Sequence, residues 1–257
     1  MKKIFALIVS LLLCFSLFGC AGGKNDSDDE EDDITELVFE QRNPKTDGQL
    51  YTEGNLSYPQ SLWQAPDFSY DPSLDPEGES YQGVKAFFMD SPIEYNGKPT
   101  KIMGYIGFPR DASDVNKVPA IVLIHGGLGT AFPDWVKLWT DRGYAAISID
   151  TEGGQAKTNT TMYNGLHDER NKYSSHADFT AGPTNNGFAI GGGIENIQNS
   201  WMYHATSAAI LANSLIRSDS RVDSGNVGIT GISWGGVVTS IVIGYDDRFA
   251  FAMPVYG

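Results

Sequence analysis

Cysteine is almost missing from this chain. Two occur in 257 residues, Cys14 and Cys20, both at the amino end. No disulfide can staple the rest, so the fold must rest on an apolar core. More than 200 residues follow Cys20, enough to build one. Basic residues are also few: 18 Lys and Arg stand against 32 Asp and Glu, a net charge of −14. That argues against nucleic acid as a partner, because a phosphate backbone calls for a basic face. Histidine occurs only four times, at His125, His167, His176 and His204, and never beyond residue 204. A long apolar run is found once, from Ile4 to Phe18, and at about 15 residues it is too short for a comfortable membrane span.

That run has another use. Lys2 and Lys3 precede it as a positive n-region, which makes residues 1–20 a signal peptide. Leu17-Phe18-Gly19-Cys20 resembles a bacterial lipobox, so cleavage is expected to leave Cys20 as the lipidated first residue. A plain secretory signal cut nearby is the alternative. Either way the protein is expected to be exported, and in the first case anchored by lipid to the outer face of the cell membrane. Residues 24–40 then carry nine acidic residues against Lys24. Such a run buries too little apolar surface to fold and extends by self-repulsion. Residues 21–40 are therefore expected as a disordered acidic tether.

Residues 41–80 mix Pro, Gly, Ser and aromatics (Tyr51, Tyr58, Trp63, Phe68, Tyr70) without periodicity. They are expected as an irregular extension packed on a domain spanning 81–257. In that domain residues 83–90 and 101–108 read as two strands joined by a turn from Ser91 to Pro99. Strand 119–124 follows, apolar throughout as in a parallel sheet covered on both faces. A helix is expected from Pro133 to Arg142, then a strand over 144–149. Residues 151–200 are dense in Gly, Asn and Thr, and form either a lid or wall at the ligand-binding end of the sheet or a plain surface loop. Trp201, Ala205, Ala208, Ala209, Ala212, Leu215 and Ile216 recur at helical spacing, predicting a helix over 201–218 capped by Ser200. Strand 226–232, helix 236–244 and strand 249–255 complete the pattern. Alternating strands and helices predict an α/β fold, a mainly parallel sheet with helices on both faces.

Two motifs carry chemistry. Gly231-Ile232-Ser233-Trp234-Gly235-Gly236 places a serine between glycines at a strand-to-helix turn, the arrangement that holds a nucleophilic hydroxyl exposed. His125-Gly126-Gly127 leaves strand 119–124, where α/β-hydrolases take one backbone oxyanion donor. The other donor is the amide after the nucleophile. Ser233 is thus the candidate nucleophile, and the amides of Gly127 and Trp234 are the candidate oxyanion hole. His125 is expected to be structural, since it precedes the serine, and His204 to be a packed or surface residue.

The segment from Trp201 to Gly257, with Tyr203-His204-Ala205, Ser233-Trp234-Gly235-Gly236, Asp246-Asp247-Arg248-Phe249 and Pro254-Val255-Tyr256-Gly257, resembles bacterial acetylxylan-esterase-type α/β-hydrolases. These are related to dienelactone hydrolases and to the catalytic domains of prolyl oligopeptidases. The resemblance covers residues 83–257 and implies a serine carboxylesterase acting on acetylated carbohydrate, without cofactor or metal. Trp234 departs from the Gln of the cephalosporin C deacetylase branch. In this fold the triad runs Ser, then Asp or Glu, then His. After Ser233 there is no histidine, and Asp246 and Asp247 come too early for the acid, so both are expected as surface or capping residues. The triad acid and base are therefore expected beyond residue 257, in a chain truncated at its carboxyl end and inactive alone. Two alternatives remain open, an oligopeptidase-related serine peptidase and a non-catalytic lipoprotein on a hydrolase scaffold. Tyr163, Tyr173 and Phe179 could stack on a sugar or simply anchor the loop.

Overall fold

The computed structural model describes residues 58–127, 129–152, 154–155, 171–172, 183 and 194–257, all within the unit Arg42–Gly257. The expected leader with Cys20, the expected acidic tether and most of 151–200, including Tyr163, His167, Tyr173, His176 and Phe179, lie outside these described residues.

Strands β1 (Phe68–Tyr70), β2 (Val84–Tyr95), β3 (Lys98–Gly107), β4 (Val118–Ile124), β5 (Ala145–Ile149), β8 (Val222–Ile232) and β9 (Phe251–Val255) form one sheet. Their order is β1-β2-β3-β5-β4-β8-β9. A separate two-stranded ladder joins β6 (Gly154–Gln155) to β7 (Asn171–Lys172). The helices are α1 (Pro133–Thr140), α2 (Trp201–Ser218) and α3 (Trp234–Tyr245). The expected mainly parallel sheet is mixed. Strands β5, β4, β8 and β9 run parallel, whereas β1, β2 and β3 join antiparallel along one side.

The turn expected from Ser91 to Pro99 is much shorter. Only Asn96 and Gly97 leave the strands, at φ 53° and 72°, the two left-handed positions of a two-residue hairpin. Strand β2 continues through Pro92 because its register shifts between Ser91 and Glu94, and a bulge tolerates a residue with no N–H.

Strand β4 is buried on both faces, as its apolar run predicts. Ile121 and Leu123 pack with Met103, Tyr105, Ala146 and Val136 of α1. Val122 and Ile124 pack on the other side with Ile147, Ile210, Ile229 and Val238. Each such aliphatic side chain contributes about 1.5–3 kcal/mol by leaving water. Pro133 opens α1 at its first position, where a missing N–H costs nothing. Ser200 Oγ accepts from Tyr203 N–H at 3.3 Å and caps α2.

Helix α2 was expected to bury one stripe, yet its polar Thr206, Ser207, Asn213 and Ser214 are buried as well. The reason is the segment before the first strand. Tyr58 stacks on Tyr203 with ring centroids 4.5 Å apart, and Ser214 Oγ donates to Leu62 O at 2.6 Å. Within residues 58–80 the side chains of Tyr58, Leu62 and Leu74 are buried in the core, and Phe68–Tyr70 is a strand.

Asp246 caps the carboxyl end of α3, as one of its two expected roles has it, but the other, a surface position, is corrected. It is no surface residue, being 1% exposed. Arg248 Nε and Nη2 donate to its two carboxylate oxygens at 2.7 and 2.8 Å, and Asn213 Nδ2 donates at 2.9 Å. Arg248 also reaches Ser214 Oγ at 2.9 Å and the Trp63 carbonyl at 3.3 Å. A bidentate guanidinium and an amide together satisfy a carboxylate that burial would otherwise penalise heavily. Asp247 is exposed.

Candidate active site

Strand β8 delivers Ser233 to the carboxyl end of the parallel strands. Its φ is 56° and ψ −122°, a conformation that costs a residue with a Cβ on the order of 1–3 kcal/mol. The surroundings hold it there. Ser233 N–H donates to Val255 O of β9 at 2.7 Å, and Ser233 O accepts from Gly236 N–H at 2.8 Å and Val237 N–H at 3.1 Å. The turn needs small neighbours. A Cβ on Gly231 would lie 2.2 Å from Gly235 O, and one on Gly235 would lie 2.4 Å from Ile124 O. Ser233 itself is exposed. Among the described residues none forms a hydrogen bond with its hydroxyl.

Trp234 is the first residue of α3. Backbone N–H groups in a helix's first turn have no intrahelical acceptor, and the helix dipole favours negative charge there. The His125-Gly126-Gly127 turn abuts this point from β4. A Cβ on Gly126 would stand 3.4 Å from Ser233 Cβ and 3.1 Å from Ile232 O. The structure thus sets Ser233 immediately before α3, whose first residue is Trp234, and beside Gly126, the chain neighbour of Gly127.

His125 is 1% exposed and has both ring nitrogens engaged. Nε2 accepts from Thr151 N–H at 2.9 Å and lies 3.1 Å from Thr151 Oγ1. A backbone N–H can only donate, so Nε2 carries no proton. Nδ1–H then donates to Gly126 O at 2.7 Å. With its acceptor nitrogen occupied, this imidazole is a structural brace, as its place in the chain order suggests. His204 is packed too. Its ring meets Tyr95 edge-on at 5.6 Å, and Nε2 is buried without a hydrogen-bond partner among the described residues. Burial pushes it down from 6.5 to about 4, partly opposed by a hydrogen bond to the Gln198 backbone. Neither described histidine bonds Ser233.

Two residues near the site were given no functional role in the sequence reading. Thr151 and Trp201 continue the His125 contact: Trp201 Nε1–H donates to Thr151 O at 2.6 Å, and the Trp201 ring meets Trp234 edge-on at 5.6 Å. Asp150 is buried beside them, accepting from Thr130 Oγ1 and from Glu152 N–H at 2.8 Å each. Apolar spacing marks Trp201 as a core residue but cannot show where its indole N–H goes. Among the described residues, cavities of about 350 and 340 Å³ are lined by Gln82, Phe108 and Lys137 and by Tyr58, Ile93 and Tyr203 respectively. Neither is lined by Ser233.

The sequence pattern of the family described as acetyl xylan esterase (AXE1) matches residues 57–257. Among solved structures, an acetyl xylan esterase from Paenibacillus sp. R4 aligns with a TM-score of 0.51 and 20% identity, covering 76% of this chain and 55% of that one. Acetyl xylan esterase 1 from Thermoanaerobacterium sp. JW/SL YS485 aligns with a TM-score of 0.49 and 16% identity, over 76% and 55%. The chain thus spans about half the length of these proteins, and the architecture it shares with the first is the α/β-hydrolase fold. No curated protein matches at a significant level.

Proposed function

The chain belongs to the acetyl xylan esterase (AXE1) family, and from that premise we propose that it is a serine carboxylesterase that deacetylates carbohydrate esters of the acetyl-xylan type. The observation that carries the proposal is Ser233 itself: an exposed serine in a strained conformation at the head of α3, against the Gly126 turn.

In the proposed reaction Ser233 Oγ attacks the acetyl carbonyl and gives up its proton to a general base. The carbonyl oxygen becomes an oxyanion that accepts from the Gly127 and Trp234 amides, each worth roughly 3 kcal/mol of barrier. Collapse expels the sugar hydroxyl, which takes the proton, and leaves an acetyl ester on Ser233. Water, deprotonated by the same base, releases acetate and restores the hydroxyl. His125 cannot serve as this base, because its Nε2 already accepts from Thr151. His204 cannot either, since it is packed against Tyr95 and Tyr203. The histidine that serves as base therefore lies outside the described residues.

The amino end supports a cell-surface location. The basic n-region, the apolar run and Cys20 in a lipobox-like context suit export and lipid anchoring, with 21–40 as a spacer from the membrane. The functional test is labelling of the full-length protein with a fluorophosphonate, alongside acetate release from acetylated xylan. Ser233→Ala is expected to abolish both. Labelling of Ser233→Ala as strong as that of the parent overturns the assignment.

A further inference from the structure

We propose that His125 is a positioning residue that locks the Gly126–Gly127 peptide plane, so that the Gly127 N–H faces Ser233. This rests on the proposed esterase reaction, in which Gly127 supplies an oxyanion donor. The hydroxyl and the amides alone do not explain why a histidine should be buried beside them with both nitrogens occupied.

The turn after β4 is intrinsically flexible. Gly126, Gly127 and Gly129 give it little intrinsic preference, and a Gly–Gly peptide can rotate as a unit between two orientations. One presents an N–H to the reacting carbonyl, the other a C=O that would repel an oxyanion. No peptide bond among the described residues is cis. In a trans peptide the C=O of Gly126 and the N–H of Gly127 point in opposite directions. Whatever holds the carbonyl therefore also aims the amide.

Two donors hold it. His125 Nδ1–H reaches Gly126 O at 2.7 Å, and Gly129 N–H reaches the same oxygen at 3.0 Å. The imidazole is fixed in turn by Thr151, whose N–H occupies Nε2 and so sets the tautomer with its proton on Nδ1. Thr151 is held by the Trp201 indole. The sheet order gives the direction. Thr151 follows β5 on one side of β4, and Ser233 follows β8 on the other. A carbonyl drawn toward the His125–Thr151 side turns the Gly127 N–H toward the serine. Gly129 must be a glycine for this to close, since a Cβ there would lie 2.7 Å from His125 Nδ1 and 2.8 Å from Gly126 O.

The test compares the full-length parent with His125→Leu, His125→Asn and Gly129→Ala on p-nitrophenyl acetate, together with binding of an alkyl boronic acid whose tetrahedral serine adduct resembles the intermediate. His125→Leu is expected to lower kcat by on the order of 100-fold with KM changed less than about threefold, and to weaken boronate binding by a similar factor, the pattern of an interaction made only in the transition state. His125→Asn, whose side-chain N–H can take the place of Nδ1–H, is expected to recover about tenfold of that loss. A folded His125→Leu with kcat within about twofold of the parent overturns the proposal, as do equal losses in Leu and Asn. If His125→Leu does not fold, Gly129→Ala decides: the parent kcat in that variant overturns the lock, and a comparable kcat loss at constant KM supports it. Ser233→Ala serves as the control. Undiminished turnover there refutes the esterase reading itself, independently of the histidine variants.

Discussion

Strain at Ser233 can be measured without any substrate. The perturbation is a pair of variants, Ser233→Ala and Ser233→Gly, both lacking the hydroxyl and differing only in the Cβ. At φ 56° and ψ −122° a Cβ costs on the order of 1–3 kcal/mol that glycine does not incur. Glycine has a freer unfolded chain, which costs it about 0.4–1 kcal/mol. The difference leaves Ser233→Gly more stable than Ser233→Ala by about 1 kcal/mol, or about 2–4 °C in Tm for a domain of this size. Against the parent, Ser233→Ala should be within about 0.5 kcal/mol, since the exposed hydroxyl has no hydrogen bond to lose among the described residues. Thermal unfolding of the two variants of the full-length protein, followed side by side by circular dichroism, reads the difference directly. If the alanine variant melts at or above the glycine variant, the turn is not strained. Strain then does not hold residue 233 outward.

Gly235→Ala and Gly244→Ala should diverge within one helix. A methyl at 235 meets Ile124 O at 2.4 Å and His125 O at 2.6 Å, whereas one at 244 meets nothing within 4 Å. The first is expected to lose several kcal/mol and the second to gain up to about 1 kcal/mol, as read by urea unfolding; equal effects would contradict the packing described. Asp246→Ala leaves Arg248 buried without its partner and is expected to cost about 3–5 kcal/mol. A loss below about 1 kcal/mol would show that the pair is solvated. His204 ordinarily titrates near 6.5 but is held at about 4 by burial, so on acidification the unfolded chain takes up its proton first. Its contribution is complete above pH 6.5 and fades as pH falls toward 4, by at most about 3 kcal/mol. Replacing it with Phe should flatten the stability profile in that window, and an unchanged slope would refute the assignment.

Much of the sheet could be read from local sequence because its strands are bounded and apolar on both faces. Ile121 to Ile124 and Ala145 to Ile149 are of this kind, and glycines on either side mark Ser233. Failures came where structure depends on a distant partner. Phe68, Ser69 and Tyr70 are all exposed and form a strand only because β2 lies beside them. Pro92 and Pro99 looked like turn residues, but the bulge in β2 absorbs the first, and Pro99 pairs with Glu94. Gly235 and Gly236 delayed the expected start of α3 to residue 236, although close packing explains both glycines better than a helix break does. The burial of Asp246 was not legible because Asn213, which donates to its carboxylate, lies 33 positions away in the chain. The role of His125 is a matter of peptide orientation, which composition and spacing do not encode.

The bonds from Ser214 to Leu62 and from Arg248 to Trp63 span 152 and 185 positions. During synthesis, the stretch around Tyr58 and Leu62 emerges long before either partner does. Until then it has no place to dock, and its apolar side chains remain open to water or to a chaperone. Contacts this remote in sequence close slowly, because a large loop must be ordered first. The seam along α2 is accordingly among the last parts of the domain to form, and it completes only when the segment after α3 has arrived.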